Sequence, residues 1–297
     1  KLSQSKPQLS LHNHVGSNLR HNRPNIKMIP VFKTFRSKNS LISEYVDYYY
    51  LDVKPNNIET EFECFPHYNT TISLYKENIS LNKGEVVFET KAKPLQIFTP
   101  IREDVLQVNQ LGKVHRIVIV FKPLGIQQFY ENLNFNDFIH DYKFFSDLEF
   151  SNLFFTEDTD IVTKHLDTFL FEKFTKYKNS ILEKALVLIF KHLGTLPIQD
   201  IATEIKISRR HLNRLFNSHF GVSVKKFNEI VLFRKTLEKK LFENTEQSFT
   251  DLAYEFNYSD QSHLNKAFKN FTSNSPKNFL KKGTLLGNED TFWHLKK

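Results

Sequence analysis

Residues 249–279 have the sequence FTDLAYEFNYSDQSHLNKAFKNFTSNSPKNF and contain two amphipathic runs separated by a short turn. Apolar residues recur at helical spacing in residues 252–256, and again three and four positions apart in residues 264–271. Ser259 or Asp260 is suited to cap the second run, because a short side-chain oxygen accepts hydrogen bonds from free helix amides. The pattern predicts two short helices joined by a tight turn, which is a helix-turn-helix motif.

An earlier segment repeats this pattern. The sequence HLNRLF at residues 211–216 recurs as HLNKAF at residues 263–268, at an offset of 52. Ala202 corresponds to Ala253 at an offset of 51, so we expect the turn of the second copy to be one residue longer. The repeat therefore predicts a duplicated helix-turn-helix.

The first copy carries clear signals for helix ends. Residues 198–205 form its first predicted helix, and Ser208 is placed to cap the second, at residues 209–220. Gly221 follows that helix, at the position where a left-handed residue commonly ends a helix. A long amphipathic stretch at residues 224–243 would join the two copies. These elements predict an all-α domain of two helix-turn-helix units joined by a long helix.

The second copy resembles the DNA-binding half of a known family. Its motif A-x-x-x-x-Y-x-D-Q-S-H-L-x-K-x-F-K, followed by S-P-x-x-F, is similar to AraC/XylS-family transcription regulators. The resemblance covers about residues 181–282, one third of the chain. It implies a bacterial regulator of transcription that binds double-stranded DNA, with RNA polymerase as a further partner if it activates. Its two recognition helices would enter successive major grooves about 34 Å apart.

Outward-facing polar residues on the two predicted recognition helices are the candidate base readers. Arginine can donate twice to guanine, and asparagine can pair twice with adenine. The apolar stripe of each helix must face inward, which leaves these residues outward: Arg209, Arg210, Asn213, Arg214, Gln261, Ser262, Asn265 and Lys266. The resemblance places base-reading positions at five of them: Arg210, Asn213, Arg214, Ser262 and Lys266. Four lysines near helix ends are candidates for phosphate contact: Lys225, Lys226, Lys269 and Lys277.

The second copy departs from the family pattern at three places. Asn257 stands where the family has glycine in the turn, and asparagine tolerates the left-handed conformation better than most residues. Thr272 and Ser273 stand where the family usually has a Phe-Gly pair. The first copy keeps this pair as Phe220 and Gly221. Ser262 is a short side chain for a base-reading position. We therefore expect the first copy to be the stronger reader of DNA.

The excess positive charge lies in the part that carries the repeat. The net charge is +8, and residues 178–297 hold twenty Lys and Arg against twelve Asp and Glu, so the preceding part is neutral. A basic half attracts phosphate through Coulomb force and counterion release. A solvated basic surface would explain the charge equally well, but not the duplicated motif with basic faces in register.

The amino-terminal half has the composition of strands. Residues 1–27 are polar and predict a mobile arm, whose His12 and His14 lack further metal ligands nearby. Phe, Tyr, Ile, Val and Thr predominate afterwards, in short runs separated by turn residues. Seven strands are predicted, at residues 31–36, 44–51, 59–65, 70–75, 85–89, 95–99 and 114–121, the last apolar on both faces and therefore central. They predict a β-sandwich or small barrel.

Helices follow these strands. We expect a short helix at residues 126–133, a loop-rich stretch through Phe154, and an amphipathic helix at residues 158–174. The apolar stripe of the latter is either core or an inter-subunit helix pair, which would make a homodimer. The overall expectation is an α+β chain with a mobile arm (1–27), a β-rich domain (28–177), a helix-turn-helix domain (178–283) and a tail (284–297).

The β-rich half resembles, less strongly, the cupin-like sensing module that precedes AraC-type DNA-binding domains. The resemblance rests on strand order and on the F-K-P-L-G turn at residues 121–125, and it implies sensing of an unknown small-molecule effector, dimerisation, or both. Aromatic clusters at residues 45–50 and 65–68 either line a pocket or belong to the core. The alternative functions are a protein-interaction module without ligand sensing and a cupin-type metal enzyme.

Composition bears on these alternatives. His67 and His115 stand apart from other metal-binding residues, so we expect no metal, no cofactor and no enzymatic activity. Cys64 is the one cysteine and lies in an apolar run, which predicts a small buried side chain rather than a nucleophile. A single cysteine, no apolar run long enough for a bilayer and no secretory signal favour a cytoplasmic protein without membrane contact.

Overall fold

A computed structural model describes residues 30–77, 79–82, 85–243 and 245–296. The predicted mobile arm at residues 1–27, with His12 and His14, lies outside the described residues. The described part is α+β, with a β-rich amino-terminal region and a helical carboxyl-terminal region, as the sequence predicts.

The amino-terminal region combines two β-sheets with helices. Its elements in chain order are β1 (Val31–Phe35), α1 (Ser40–Tyr45), β2 (Val46–Lys54), β3 (Glu59–Cys64), β4 (Thr70–Tyr75), β5 (Ile79–Asn82), β6 (Glu85–Phe88), β7 (Leu95–Thr99), β8 (Leu106–Leu111), β9 (Val114–Phe121), α2 (Asp147–Leu153) and α3 (Thr159–Lys173). One sheet has the order β1-β2-β9-β4-β7. The other contains the order β3-β8-β6-β5, and a strand pair from the end of the chain extends it beyond β3.

Strand β9 organises this region because it is buried along its whole length in the middle of the first sheet. Its residues alternate between two cores, as the period of a strand requires. Val118 and Val120 pack between the sheets, whereas Ile117 and Ile119 belong to the core on the other face. The prediction of a central strand is confirmed, and the region is a sandwich with helices on one outer face.

Helix α3 supplies much of that outer layer. Val162, Leu166 and Leu170 are fully buried in the core on the helical face of the first sheet. The larger part of the stripe that the sequence left open between core and inter-subunit packing is therefore core. Ile161 and Phe171 lie on the exposed side of the same helix.

Three local predictions for this region are wrong. The strand expected at residues 44–51 begins only at Val46, because the preceding residues form α1, whose first amides donate to the side chain of Asn39. The helix expected at residues 126–133 is a single 3-10 turn, Ile126–Gln128. A helix could not continue through Asn132, because the backbone of this residue is left-handed (φ 58°). Helix α2 lies inside the expected loop, where Ser146 and Glu149 form a capping box.

The carboxyl-terminal region is helical, as predicted. Its helices are α4 (Ser180–Lys191), α5 (Ile198–Glu204), α6 (Arg209–Phe220), α7 (Val224–Glu238), α8 (Phe249–Glu255), α9 (Gln261–Thr272) and α10 (Pro276–Lys282). Helix α7 continues as a π-helical stretch, Lys239–Glu243, so the predicted long connecting helix extends over its full length. The core of these helices is continuous with side chains of the amino-terminal region, among them Phe65, Ile101 and Leu124.

The segment after α10 returns to the first region. Strands β10 (Thr284–Leu285) and β11 (Phe292–Lys296) pair with each other, and β11 pairs antiparallel with β3, with Trp293 opposite Cys64. They are the strand pair at the edge of the six-stranded sheet. The sequence predicts only a tail here. The helical region is thus held to the sandwich at both of its ends.

Candidate nucleic-acid interface

Two helix-turn-helix units, α5–α6 and α8–α9, have the same turn geometry. The amide of Ile207 donates to the carbonyl oxygen of Ala202 at 3.0 Å, and the amide of Tyr258 donates to that of Ala253 at 2.9 Å. Each turn contains one left-handed residue at the same place, Lys206 in the first (φ 58°) and Asn257 in the second (φ 56°). The duplication predicted from the sequence is therefore present in the backbone.

The extra residue of the second turn is Ser259. In the first unit Ser208 directly follows the turn and its hydroxyl accepts from the amide of His211 at 3.1 Å. In the second unit Asp260 is the cap, and its carboxylate accepts from the amide of His263 at 2.8 Å. Of the two cap candidates, the structure selects Asp260. Ser259 occupies the additional position, and its amide donates to His263 Nδ1 at 3.3 Å.

The outward face of α6 is strongly basic. Arg209, Arg210 and Arg214 are exposed, and their side chains form no hydrogen bond or ion pair with any described residue. Leu212 and Phe216 are fully buried on the opposite side, which fixes the orientation of the helix. Three guanidinium groups are therefore presented together to solvent, each with all its donors available.

Asn213 has a structural contact that the sequence did not suggest. It is half-buried, and its side-chain oxygen accepts from the amide of Val224, the first residue of α7, at 3.3 Å. Its side-chain amide remains a donor. Adenine pairing uses both groups of an asparagine, so Asn213 would have to release Val224 to read a base in that way.

The outward face of α9 carries less charge. Ser262 and Lys266 are exposed, and Asn265 is half-buried. Gln261 is also exposed, but its side-chain oxygen accepts from the hydroxyl of Thr250 at 2.9 Å. Two cations of α9 face solvent, Lys266 and Lys269, in contrast to three arginines on α6. His263 contacts the ring of Tyr258 at a centroid distance of 5.3 Å, as expected for a residue that positions the turn.

The four predicted phosphate ligands divide into two groups. Lys269 and Lys277 are exposed and make no ion pair with any described residue. Lys225 is exposed, with its Nζ 3.9 Å from Glu229. Lys226 is half-buried, with its Nζ 3.5 Å from the same carboxylate and 5.2 Å from the ring centre of Phe271. Lys226 is thus the least available of the four.

Arg234 is a residue that the sequence reasoning missed. It is buried in α7, and its Nε and Nη2 donate to the backbone oxygens of Pro66 at 2.6 Å and Phe65 at 2.7 Å. It therefore ties the long helix to the end of β3. Position 234 lies three residues before Leu237 and therefore falls on the apolar stripe of that helix. A charged residue at such a position is the sequence signal that could have revealed the buried contact.

A cavity of about 130 Å³ lies between the two sheets, and the tail and Arg234 form part of its wall. Its walls include Tyr48, Tyr50, Phe65 and His67, which belong to the two aromatic clusters noted in the sequence. Tyr48, Tyr50 and Phe65 are buried, so these residues are both core and cavity wall. Within the described ranges, no group of three or more His, Cys, Asp or Glu side chains could hold a metal ion.

Comparisons with known proteins agree with the geometry of the helical region. Residues 182–282 match the family described as "Helix-turn-helix domain". Over 88 residues the chain is 31% identical to the Msm operon regulatory protein of Streptococcus mutans, an alignment that covers 30% of this chain and 31% of that protein. The chain thus spans about a third of the length of this relative.

Solved structures give a looser likeness. ToxT from Vibrio cholerae aligns at a TM-score of 0.45 and 11% identity, over 84% of this chain and 98% of ToxT. The C-terminal domain of AraT, a response regulator from Geobacillus stearothermophilus, aligns at a TM-score of 0.34 and 23% identity, over 39% of this chain and 94% of that one. None of the helices in the described ranges combines the length and the hydropathy that a membrane span needs.

Proposed function

Because residues 182–282 form an AraC-type helix-turn-helix domain, we propose that this chain is a sequence-specific DNA-binding regulator of transcription. The observation that carries the proposal is the exposed arginine face of α6, on a helix whose other side is locked into the core. Arginine is the side chain that most often reads guanine in the major groove. A duplicated unit with a second polar face supports two contacts on one DNA duplex.

The two helix-turn-helix units contribute differently to the proposed DNA binding. Arg210 and Arg214 read bases from α6, and Ser262 and Lys266 do so from α9, about 34 Å away in the next major groove. Lys269 and Lys277 contact phosphate, since both are exposed point charges without an ion pair to any described residue. Because α6 presents three exposed arginines and α9 presents two exposed lysines, Lys266 and Lys269, the first unit supplies the larger share of the affinity.

The sandwich is the proposed regulatory part. It senses a small-molecule effector, dimerises, or does both, and RNA polymerase is a partner if the protein activates. Exposed apolar side chains on or beside α2 and α3 support dimerisation: Leu148, Phe155, Ile161 and Phe171. A regulator of this kind acts in the bacterial cytoplasm, where its DNA is.

The base-reading assignment is tested with DNA selected from a random pool. We expect Arg210→Ala and Arg214→Ala each to weaken binding to the selected site by about 1–3 kcal/mol and to relax the preference at one base pair. Gel shifts at fixed salt measure this. Lys184→Ala is the matched control, since it removes an exposed cation from α4, outside both units, and should leave affinity unchanged. Unaltered affinity and preference in both arginine variants would sink the assignment.

The phosphate assignment has a different signature. Lys277→Ala should weaken binding to all sequences alike and reduce the slope of log affinity against log salt by about 1. If the chain binds no DNA, or binds it without salt dependence, the alternative of a protein-interaction module is favoured instead.

A further inference from the structure

The cavity between the sheets has an unusual concentration of arginine. Arg102, Arg116 and Arg234 all line it, and all three lie close enough to the thiol of Cys64 to influence its pKa. Burial nevertheless raises that pKa, so Cys64 is an uncharged thiol and supplies no counter-charge. The three guanidinium groups must be balanced by other groups.

Arg116 is only partly satisfied although it is 5% exposed. Its Nε donates to Asp52 at 2.9 Å and its Nη1 donates to the hydroxyl of Tyr75 at 3.3 Å. Its Nη2 is buried without an acceptor among the described residues. A buried N–H without an acceptor costs free energy that a bound ligand would recover.

Arg102 is half-buried, and its Nε, which is buried, has no acceptor among the described residues. Burial lowers its pKa, which is the direction expected when a cation lacks a counter-charge. A second wall residue therefore carries an unused donor.

The acidic groups near the cavity are already engaged. Asp52 pairs with Arg116, and Asp290 accepts from the hydroxyl of Tyr48 at 3.2 Å and contacts His67 Nε2 at 2.6 Å. Burial lowers the pKa of His67, while the carboxylate of Asp290 beside it acts in the opposite direction. Asp52 also lies 3.7 Å from the Nζ of Lys54, so the cations around the cavity outnumber these two carboxylates and an anionic ligand would be favoured.

The rest of the wall suits an organic body. Tyr50, Phe62 and Trp293 surround the guanidinium group of Arg116, whose central carbon lies 5.4 Å from the ring centre of Trp293. The cavity volume of about 130 Å³ is slightly smaller than an engineered protein cavity of about 150 Å³ that binds benzene. The space therefore fits a molecule of about six heavy atoms or fewer.

From these contacts we propose that the cavity binds a small monocarboxylate, whose carboxylate accepts from Arg102 Nε and Arg116 Nη2 and whose short apolar chain lies against Phe62 and Trp293. The site deepens the proposed sensing role of the sandwich and rests on it. Its walls come from three parts of the chain: the sheets, Arg234 of α7, and the tail from Asp290 to Trp293. The sandwich, the helix between the two DNA-binding units and the strand that follows them thus all border the site.

The experiment uses the full chain with acetate, propionate and butyrate, each beside its uncharged amide at constant ionic strength. Calorimetric titration gives affinity, and the emission of Trp293, the one tryptophan of the chain, reports occupancy of this cavity. We expect at least one carboxylate to bind, to raise Tm by a few degrees and to change the emission, while its amide does none of these. We expect Arg102→Gln to lower that affinity on the order of tenfold, because a charge-assisted hydrogen bond is lost.

Lys91→Gln is the matched control, since it removes an exposed cation of the same region and should leave the affinity unchanged. The comparison of carboxylate with amide uses the wild-type chain, so it stands even if the Arg102 variant is poorly folded. The proposal is overturned if no carboxylate binds, if amides, chloride or inorganic phosphate act equally well, or if Arg102→Gln binds as the wild type does. Gel shifts on the same preparations separate the two proposals: DNA binding without carboxylate binding refutes only the site, and the reverse refutes only the regulator.

Discussion

Four left-handed residues set the shape of the two helix-turn-helix units. Lys206 and Asn257 form the turns, with φ of 58° and 56°, and Gly221 and Ser273 end the recognition helices, with φ of 74° and 57°. Glycine adopts this conformation without strain, whereas residues with a Cβ lose roughly 1 kcal/mol or more. Three of the four positions therefore carry strain that the fold must offset.

Gly221 and Ser273 give a matched pair of substitutions. Gly221→Ala should destabilise the protein by more than about 2 kcal/mol, because the added Cβ would also lie 1.9 Å from the backbone oxygen of Phe135. Ser273→Gly should stabilise it by about 0.5–1 kcal/mol. Urea unfolding measures both, with Ser273→Ala as the control that keeps the strain. If Gly221→Ala leaves the free energy of unfolding unchanged, the end of α6 has room for a Cβ atom.

His115 should make stability depend on pH. Burial, followed by the nearby charge of Lys76, lowers the pKa of its imidazole to about 4, and its buried Nε2 has no partner in the described part of the chain. An unfolded histidine has a pKa near 6.5, so between about pH 6.5 and 4 the unfolded chain binds the proton and the folded one does not. Stability from this group is thus complete above pH 6.5 and is lost as the pH falls towards 4.

The expected loss for His115 is about 2 kcal/mol between pH 7.5 and 5. Urea unfolding at the two pH values measures the free energy of unfolding of each protein. Between these pH values His115→Gln should lose about 2 kcal/mol less stability than the wild type. The buried or half-buried His67, His219 and His294 also have lowered pKa values, so both proteins still become less stable in acid. Equal losses in the two proteins would show that His115 is protonated at no cost in the folded state.

At the scale of elements, α6 and α7 meet through Asn213, whose oxygen accepts from the amide of Val224. Asn213→Asp keeps this acceptor and loses the amide donor, whereas Asn213→Ala loses both. We expect Asn213→Ala to cost about 0.5–2 kcal/mol of stability, as for a lost helix cap, and Asn213→Asp to cost little. Urea unfolding distinguishes them.

The same pair of variants separates packing from base reading. If Asn213 reads DNA through its amide, both variants should lose preference at one base pair of the selected site, in gel shifts on mutated sites. If only the alanine variant differs from the wild type in DNA binding, Asn213 acts by holding α7 in place and does not read a base.

Elements with strong local signals were predictable. The caps Ser208 and Gly221 and the apolar stripes of α6 and α9 define those helices within a residue or two, because a helix satisfies its pattern with neighbours in sequence. Strand β8 was missed because LQVNQL alternates weakly with polar residues, and β11 was missed because its pairing partner, β3, lies some 230 residues earlier. Strand pairing at such distance leaves no local trace.

The candidate site divides in the same way. Exposure of Arg209, Arg210 and Arg214 followed from the stripe on the opposite face of their helix. The contact of Asn213 and the partial neutralisation of Lys226 depend on how helices cross, which spacing along one helix does not determine. The exposed face was therefore predictable, whereas the competition for its side chains was not.

At the scale of the whole molecule, the tail couples the helical region to the sandwich. Phe292 is 4% exposed and contacts the ring of Phe279 in α10 at a centroid distance of 5.1 Å. Trp293, next in the chain, stacks on Phe62 of β3 at 4.4 Å. One short strand thus joins the cores of both regions.

Phe292→Ala should loosen this coupling at a cost of about 3–5 kcal/mol, because it leaves a cavity between α10 and the sandwich. Leu295→Ala is the matched control: Leu295 lies in the same strand but is 40% exposed, so its loss should cost less than about 1 kcal/mol. Thermal unfolding followed by Trp293 emission measures both. A change of similar size in the two variants would mean that the strand is held by its backbone pairing alone.

The order of synthesis gives the tail a further consequence. Strand β3 emerges from the ribosome long before β11, so one edge of its sheet stays unpaired while the helix-turn-helix units are being made. An unpaired edge attracts other strands, and the alternating Glu59, Glu61 and Glu63 of β3 place charges that discourage such pairing. The sandwich is therefore completed only after both DNA-binding units exist, so a nascent chain truncated before residue 292 would lack a finished sheet.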